Sequence, residues 1–243
     1  MLFVGPMDRR SEWFVPAFGP ERFRVGVGLL FLPYTGMVLS FTVIGSMLAP
    51  SIHWDRVAVI VLIYFLALGL GAHALDALGN REAKPWGEVF TRAQLWAIAA
   101  AALVAGYAIG IWYMVLYAPL LWPIAIAEGF FVLAYNLEWF GGRLHRDSWF
   151  ALSWGALPVL AGYVLQANAI SAAAVLVAAA MALLSLVEIR ASRPYKELKR
   201  SIALGTGAGA DAARAAQLEA ILKSLSGGVV ALGAGMLVFR LWG

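Results

Sequence analysis

Seven stretches of this chain, at roughly 26–49, 57–79, 93–114, 116–138, 148–167, 170–188 and 226–242, are long apolar runs with few charges. A spanning helix needs about 20 mainly apolar residues, because the hydrocarbon layer is about 30 Å thick and a helix rises about 1.5 Å per residue. The runs are continuous and do not alternate as a membrane barrel would, so helices must satisfy the backbone. The expectation is an all-α, polytopic membrane bundle of about seven transmembrane helices. Pro119, after Tyr117 and Ala118, ends one hydrogen-bond ladder and separates the third run from the fourth.

Composition closes the alternatives. Hydrophobic residues make up 62% of the 243 and charged residues 13%, against about 45–50% and about 25% in soluble domains. A soluble enzyme, a disordered chain and a nucleic-acid-binding module are excluded. The absence of cysteine excludes disulfides, thiol nucleophiles, iron–sulfur clusters and zinc ribbons. Three histidines, His53, His73 and His145, are too few for a histidine-rich membrane oxygenase. Arg9, Arg10, Glu12, Glu21, Arg22 and Arg24 make the first 25 residues unlike a signal peptide.

Charge gives the topology. With the N-terminus cytoplasmic, 16 of the 18 Lys and Arg fall on that side, and the opposite side holds Arg56 and Arg240. This follows the positive-inside rule. The expected organisation is a cytoplasmic arm over 1–25, a six-helix bundle with cytoplasmic polar loops over 26–188, a cytoplasmic basic loop with an amphipathic helix over 189–225, and a last transmembrane helix over 226–243. Within the third part, 203–211 reads as a linker and 211–225 as a helix lying on the membrane or over a cavity mouth. The bilayer partner is an inner or cytoplasmic membrane.

The second, fourth and sixth helices run toward the cytoplasmic face, and each ends in a polar segment carrying a carboxylate: Asp76, Glu138 and Glu188. Helix C-termini favour cations. His73, Asp76 and Asn80 are spaced i, i+3 and i+7 and share a face. Ionisable groups in a span usually face an internal cavity, so this stripe reads as cation-binding or substrate-contacting; capping at water level is the alternative. Glu128 is the most deeply placed acid, either functional or bonded to a neighbouring helix. Arg143, His145, Arg146 and Asp147 follow the fourth helix, where the arginines also suit positive-inside anchoring. One metal site drawing on His73, Asp76, Glu138, His145 and Asp147 is permitted by ligand type but not demanded by spacing. Arg190, Arg193, Lys196, Lys199 and Arg200 suit lipid headgroups or a diphosphate. Gly155, Pro158 and Gly162 bend and thin the fifth helix, opening a groove or permitting close packing.

Placed in this way, the residues of 26–200 resemble the UbiA superfamily of intramembrane prenyltransferases. AHALDALGN (72–80) stands where that family carries an Asp-rich NDxxDxxxD motif. Ala72 and His73 replace the leading Asn-Asp, Asp76 matches the central Asp, and Asn80 replaces the last. REAKPWGEVFTRAQL resembles the family's Arg-Pro-Gly segment, and AYNLEWFGGRLHRDSWFALSWGALPVLAGY its helix 4–5 region, with Tyr135 at the tyrosine position. Glu188 is the acid near the second Asp-rich motif, and Ser192 follows it. The resemblance implies a lipid-accessible cavity in which Mg²⁺, or Mn²⁺, draws diphosphate off a prenyl donor so that the isoprenoid group alkylates an aromatic or lipid acceptor. It implies Asp76 and Glu188 as metal ligands, His73, Asn80, Glu138 and Tyr135 as assisting residues, and Arg81, Lys84, Arg143 and Arg193 as diphosphate contacts. Two other functions remain: a UbiA-like protein binding a polyisoprenoid, quinone or carotenoid or supporting a membrane complex, and a small-solute transporter built around Glu128.

Overall fold

The computed structural model describes residues 12–79, 89–207 and 209–243, and these contain helices and no strand. Seven helices are long and apolar enough to cross a membrane: α1 (Glu21–Met47), α2 (Trp54–Gly79), α3 (Arg92–Leu116), α4 (Pro119–Asn136), α5 (Asp147–Ala167), α6 (Ala172–Ala203) and α7 (Gly209–Trp242). The chain is therefore a multi-pass membrane protein of the expected all-helical class.

Three of the helices are irregular. α1 breaks at Phe31, whose φ is 48°. Pro33 has no N–H to continue the first segment and suits the start of a second, and the Thr35 hydroxyl satisfies the Leu30 carbonyl at 2.6 Å. The break turns the Phe31 ring into the core. α2 widens into a π-helical stretch over Phe65–Ala72, and α5 does so over Leu152–Ala156, just before Pro158. A proline inside a helix removes one ladder bond and crowds the preceding turn, and a wider turn relieves that crowding.

The second half of α1 packs on the second half of α5 and on α7, α2 packs on α3 and α4, and α6 packs on α5 and α7. α5 is the most enclosed helix. Lipid tails are as apolar as leucine, so helices in a bilayer associate through close backbone approach at small residues. At the α1–α5 crossing a methyl group on Gly162 would collide with the Thr42 carbonyl oxygen, and one on Gly45 with that of Val159. Ser46 Oγ adds a hydrogen bond to the Gly162 carbonyl at 3.3 Å. Gly155 lies close to α6, where a methyl would sit 2.7 Å from Ala182 Cα. The small residues of α5 thus serve close packing.

α6 runs beyond the expected end at 188, continuing through Pro194 to Ala203, and residues 211–225 form one helix with the final span. Burial explains the continuity: Ala191, Tyr195, Ala215 and Leu222 make a small core with Trp13 and Leu198 against it. Ala215 and Leu222 of 211–225 face α6, while Ala212, Ala216 and Ile221 are exposed.

The two ends of the bundle differ in chemistry. At one, Arg240 donates to the Met47 and Ala49 carbonyls at 2.9 and 2.6 Å, and Arg56 to those of Leu165 and Gln166 at 3.2 and 3.1 Å. Both basic residues of that end satisfy the orphan carbonyls of helix C-termini. At the other end, the N-terminal segment folds back on the bundle, where Tyr195 Oη lies 2.8 Å from Glu12 Oε2 and 3.0 Å from Glu219 Oε2.

Candidate functional site

The ends of α2, α4 and α6, the break in α1 and the start of α5 line an open cavity of about 360 Å³. Its floor is aromatic. The His73 ring lies 5.4 Å from both Phe31 and Trp154. Trp154 stacks on Phe150 at 5.4 Å, and Tyr135 stacks on His145 at 4.3 Å. Both π-helical stretches feed this floor: His73 follows the first directly, and Trp154 lies inside the second. Single π turns recur at functional sites because they re-aim a side chain without ending the helix. His73 Nδ1 faces the Gly69 carbonyl at 3.1 Å. A carbonyl only accepts, so Nδ1 carries the proton in that contact.

The rim is charged. Arg193, Lys196 and Arg200 of α6 line the cavity with Glu197, and Asp76 and Glu138 line it from the ends of α2 and α4. Arg193 is held by Asp147, 3.2 Å from Oδ1, and donates to the His145 carbonyl at 3.2 Å. Lys196 Nζ lies over the Phe31 ring, 5.3 Å from its centroid. The Tyr34 hydroxyl donates to Ser192 Oγ at 2.6 Å, tying α1 to α6 beside it.

Asp76 and Glu138 line the same cavity because α2 and α4 cross closely. A methyl on Gly79 would collide with the Asn136 carbonyl oxygen, and the buried Asn136 amide donates to the Val132 carbonyl at 2.8 Å. Beyond that crossing the chain reverses through Glu138 (φ 53°), Phe140 (φ 57°), Gly141 (φ 65°) and Gly142 (φ 75°). A positive φ costs a residue with a side chain of order 1–3 kcal/mol, and such strain clusters at functional sites.

Of the residues singled out by sequence, His73, Asp76, Tyr135, Glu138 and Arg193 share this cavity. Asn80, Arg81 and Lys84 lie outside the described residues. Arg143 is exposed in the α4–α5 connection and does not line the cavity. Glu188 lines a neighbouring small cavity of about 10 Å³ with Glu12 and Tyr195, while Phe31, Tyr34 and Lys196 border both. It is buried, and its Oε1 has no hydrogen-bond partner.

Phe31, Phe150, Trp154, Lys196 and Arg200 were not singled out as site residues by sequence. Lys196 and Arg200 stood in the basic run without a direction. Trp154 offered one signal: it lies inside a span, away from the interfacial positions that tryptophan favours. No family model matches the chain, and neither a curated protein nor a solved structure matches it.

Proposed function

We propose that this chain is an intramembrane prenyltransferase of the UbiA kind, which takes a prenyl diphosphate into the vestibule and passes its isoprenoid group to an aromatic or lipid acceptor. The observation that carries this reading is the polarity of one cavity, whose aromatic floor lies beneath a charged rim on which Arg193, Lys196 and Arg200 of α6 stand with Asp76, Glu138 and Glu197. That profile matches a ligand with an apolar chain and an anionic head. The chain lies along Phe31, His73, Trp154 and Phe150. Arg193 and Lys196 hold the diphosphate, since guanidinium and ammonium groups make charge-assisted hydrogen bonds to phosphate oxygens. The resemblance also implies Asn80, Arg81 and Lys84 as contacts to the ligand.

In the transfer, the bond between the allylic carbon and the diphosphate oxygen breaks, and its electron pair leaves with the diphosphate. The acceptor atom bonds to the allylic carbon, and the acceptor's proton passes to a carboxylate. Asp76 takes that proton, with Glu138 at the cavity edge. Aromatic faces stabilise the allylic cation, and the apolar walls keep water from it. The vestibule end faces the cytoplasm because it carries the excess of Lys and Arg.

The resemblance also implies Mg²⁺ or Mn²⁺ between Asp76 and Glu188. The described residues alone do not assemble such a site. No three acidic or histidine side chains among them come close enough to hold an ion, and the two carboxylates line different cavities. No step is assigned to a metal, and Arg193, Lys196 and Arg200 neutralise the leaving group. The same observation favours the second reading, a non-catalytic relative that retains a polyisoprenoid, quinone or carotenoid.

The test is purified protein with labelled farnesyl and geranylgeranyl diphosphates and phenolic and lipid-alcohol acceptors, with and without Mg²⁺. Label moves to an acceptor as diphosphate is released, and Asp76→Ala lowers the rate at least a hundredfold. Unchanged activity in Asp76→Ala discards the site assignment. A co-purifying isoprenoid with no diphosphate release selects the second reading.

A further inference from the structure

Asp76 and Glu188, the two carboxylates that the resemblance assigns to one metal ion, line different cavities. The small cavity beside Glu188 holds about 10 Å³, room for about one water molecule. Mg²⁺ demands an octahedral shell of oxygens at about 2.1 Å, so it does not fit beside Glu188. Of the two acids of that cavity, Glu12 meets Tyr195 Oη at 2.8 Å. Glu188 is 4% exposed, and its Oε1 has no hydrogen-bond partner. A buried carboxylate needs a compensating charge or hydrogen bond.

Lys196 is the cation at the boundary. It is the one basic residue among the described residues that line the small cavity, and it lines the vestibule as well. Its Nζ lies 5.3 Å from the Phe31 ring centroid and 5.9 Å from that of Tyr34, within range of cation–π attraction to both. Phe31 and Tyr34 form the rest of the shared wall, and the Tyr34 hydroxyl is fixed by Ser192, which stands between Glu188 and Lys196 on α6. Helical side chains lean toward the N-terminus of their helix. From roughly two turns further along α6, the lysine stem therefore reaches back toward Glu188. Its charge acts on that carboxylate.

We infer that Lys196, countered by Glu188, is the built-in cation of the vestibule and takes the part of the divalent ion, so that the cavity holds a diphosphate head without metal. The inference rests on the vestibule reading proposed above and names the cation that this site uses. An ammonium carries several donors and no acceptor, so it serves phosphate oxygens on the vestibule side while Glu188 balances its charge on the other. Shortening the lysine removes part of the shared wall and leaves the carboxylates of Asp76 and Glu188 with no cation between them.

Calorimetric titration of the detergent-purified full chain with inorganic diphosphate, in EDTA and in Mg²⁺, tests this. The wild type binds in EDTA at least as tightly as in Mg²⁺, because Mg²⁺ only shields the anion. Lys196→Ala binds about tenfold or more weakly in EDTA, and Mg²⁺ restores part of that loss. The restoration needs Glu188 and disappears when Glu188→Gln is added to Lys196→Ala. Should Lys196→Ala fail to fold, Lys196→Met keeps an apolar stem over the two rings and loses the ammonium, with the same loss in EDTA. Wild-type binding that requires Mg²⁺, or undiminished binding by the lysine variants in EDTA, overturns the inference and leaves the vestibule reading standing. So does Mg²⁺ recovery that is absent from Lys196→Ala or indifferent to Glu188. No diphosphate binding by the wild type under either condition overturns both.

Discussion

Replacing Gly162 by alanine puts a methyl against the Thr42 carbonyl and 3.0 Å from the Ser46 nitrogen, where ordinary contact begins at 3.4 Å. The neighbours are backbone atoms, so α1 and α5 must part by at least about 0.4 Å along their most extensive contact. Parting them also stretches the hydrogen bond from Ser46 Oγ to the Gly162 carbonyl. Overpacking costs about 1–3 kcal/mol and the lost bond about 0.5–1.5 kcal/mol, while alanine returns up to about 1 kcal/mol in helix propensity. The net loss is about 2 kcal/mol. Gly235, also inside a helix, has nothing within 4 Å of an added methyl, so its alanine variant keeps only the propensity gain. The two variants therefore differ by about 3 kcal/mol and in opposite directions. Equilibrium unfolding by dodecyl sulfate in mixed micelles, followed by helical circular dichroism, measures both. Equal stabilities within about 0.5 kcal/mol would refute the close α1–α5 crossing on which the bundle is built.

Other consequences are as specific. Arg240→Ala removes two hydrogen bonds to helix-end carbonyls and lowers stability by about 1–3 kcal/mol in the same assay, whereas Arg240→Lys restores part of that loss. Tyr195→Phe deprives Glu12 and Glu219 of the hydroxyl between them, and limited trypsin digestion then cuts at Arg22 and Arg24 several-fold faster. Trp154→Ala opens the vestibule floor and weakens binding of a prenyl diphosphate by about tenfold or more, while inorganic diphosphate, which needs only the rim, binds as before.

The seven spans were legible because hydropathy over twenty residues needs no tertiary context. Their irregularities were less so. The break at Phe31 depends on a left-handed residue that only the fold imposes, and the length of α6 depends on what covers Tyr195 and Ala191. That Asp76 and Glu138 line one cavity followed from helix direction, since alternate spans run parallel and deliver their C-terminal ends to the same face. Glu188 shows where that reasoning stops. Helix direction set its depth but not its rotation about α6, which turns it into the adjoining cavity. The aromatic floor had no sequence signature, because Phe31, Phe150 and Trp154 stand among many aromatic residues in apolar runs, and only packing singles them out. The role of the two far-side arginines was hidden in the same way. Charge counting placed Arg56 and Arg240 on the poor side of the membrane, and the structure uses them to close helix ends.

The central claim is that one cavity holds an isoprenoid chain on its aromatic floor and an anionic head at its rim. Photolabelling with a prenyl diphosphate bearing a diazirine at the far end of its chain reports where that chain rests. Adducts on Phe31, Phe150 or Trp154, displaced by unlabelled prenyl diphosphate and reduced by joint Arg193→Gln and Lys196→Gln substitution, are the predicted result. Adducts confined to the lipid-facing sides of α3 and α7, indifferent to competitor and to the rim substitutions, would contradict it.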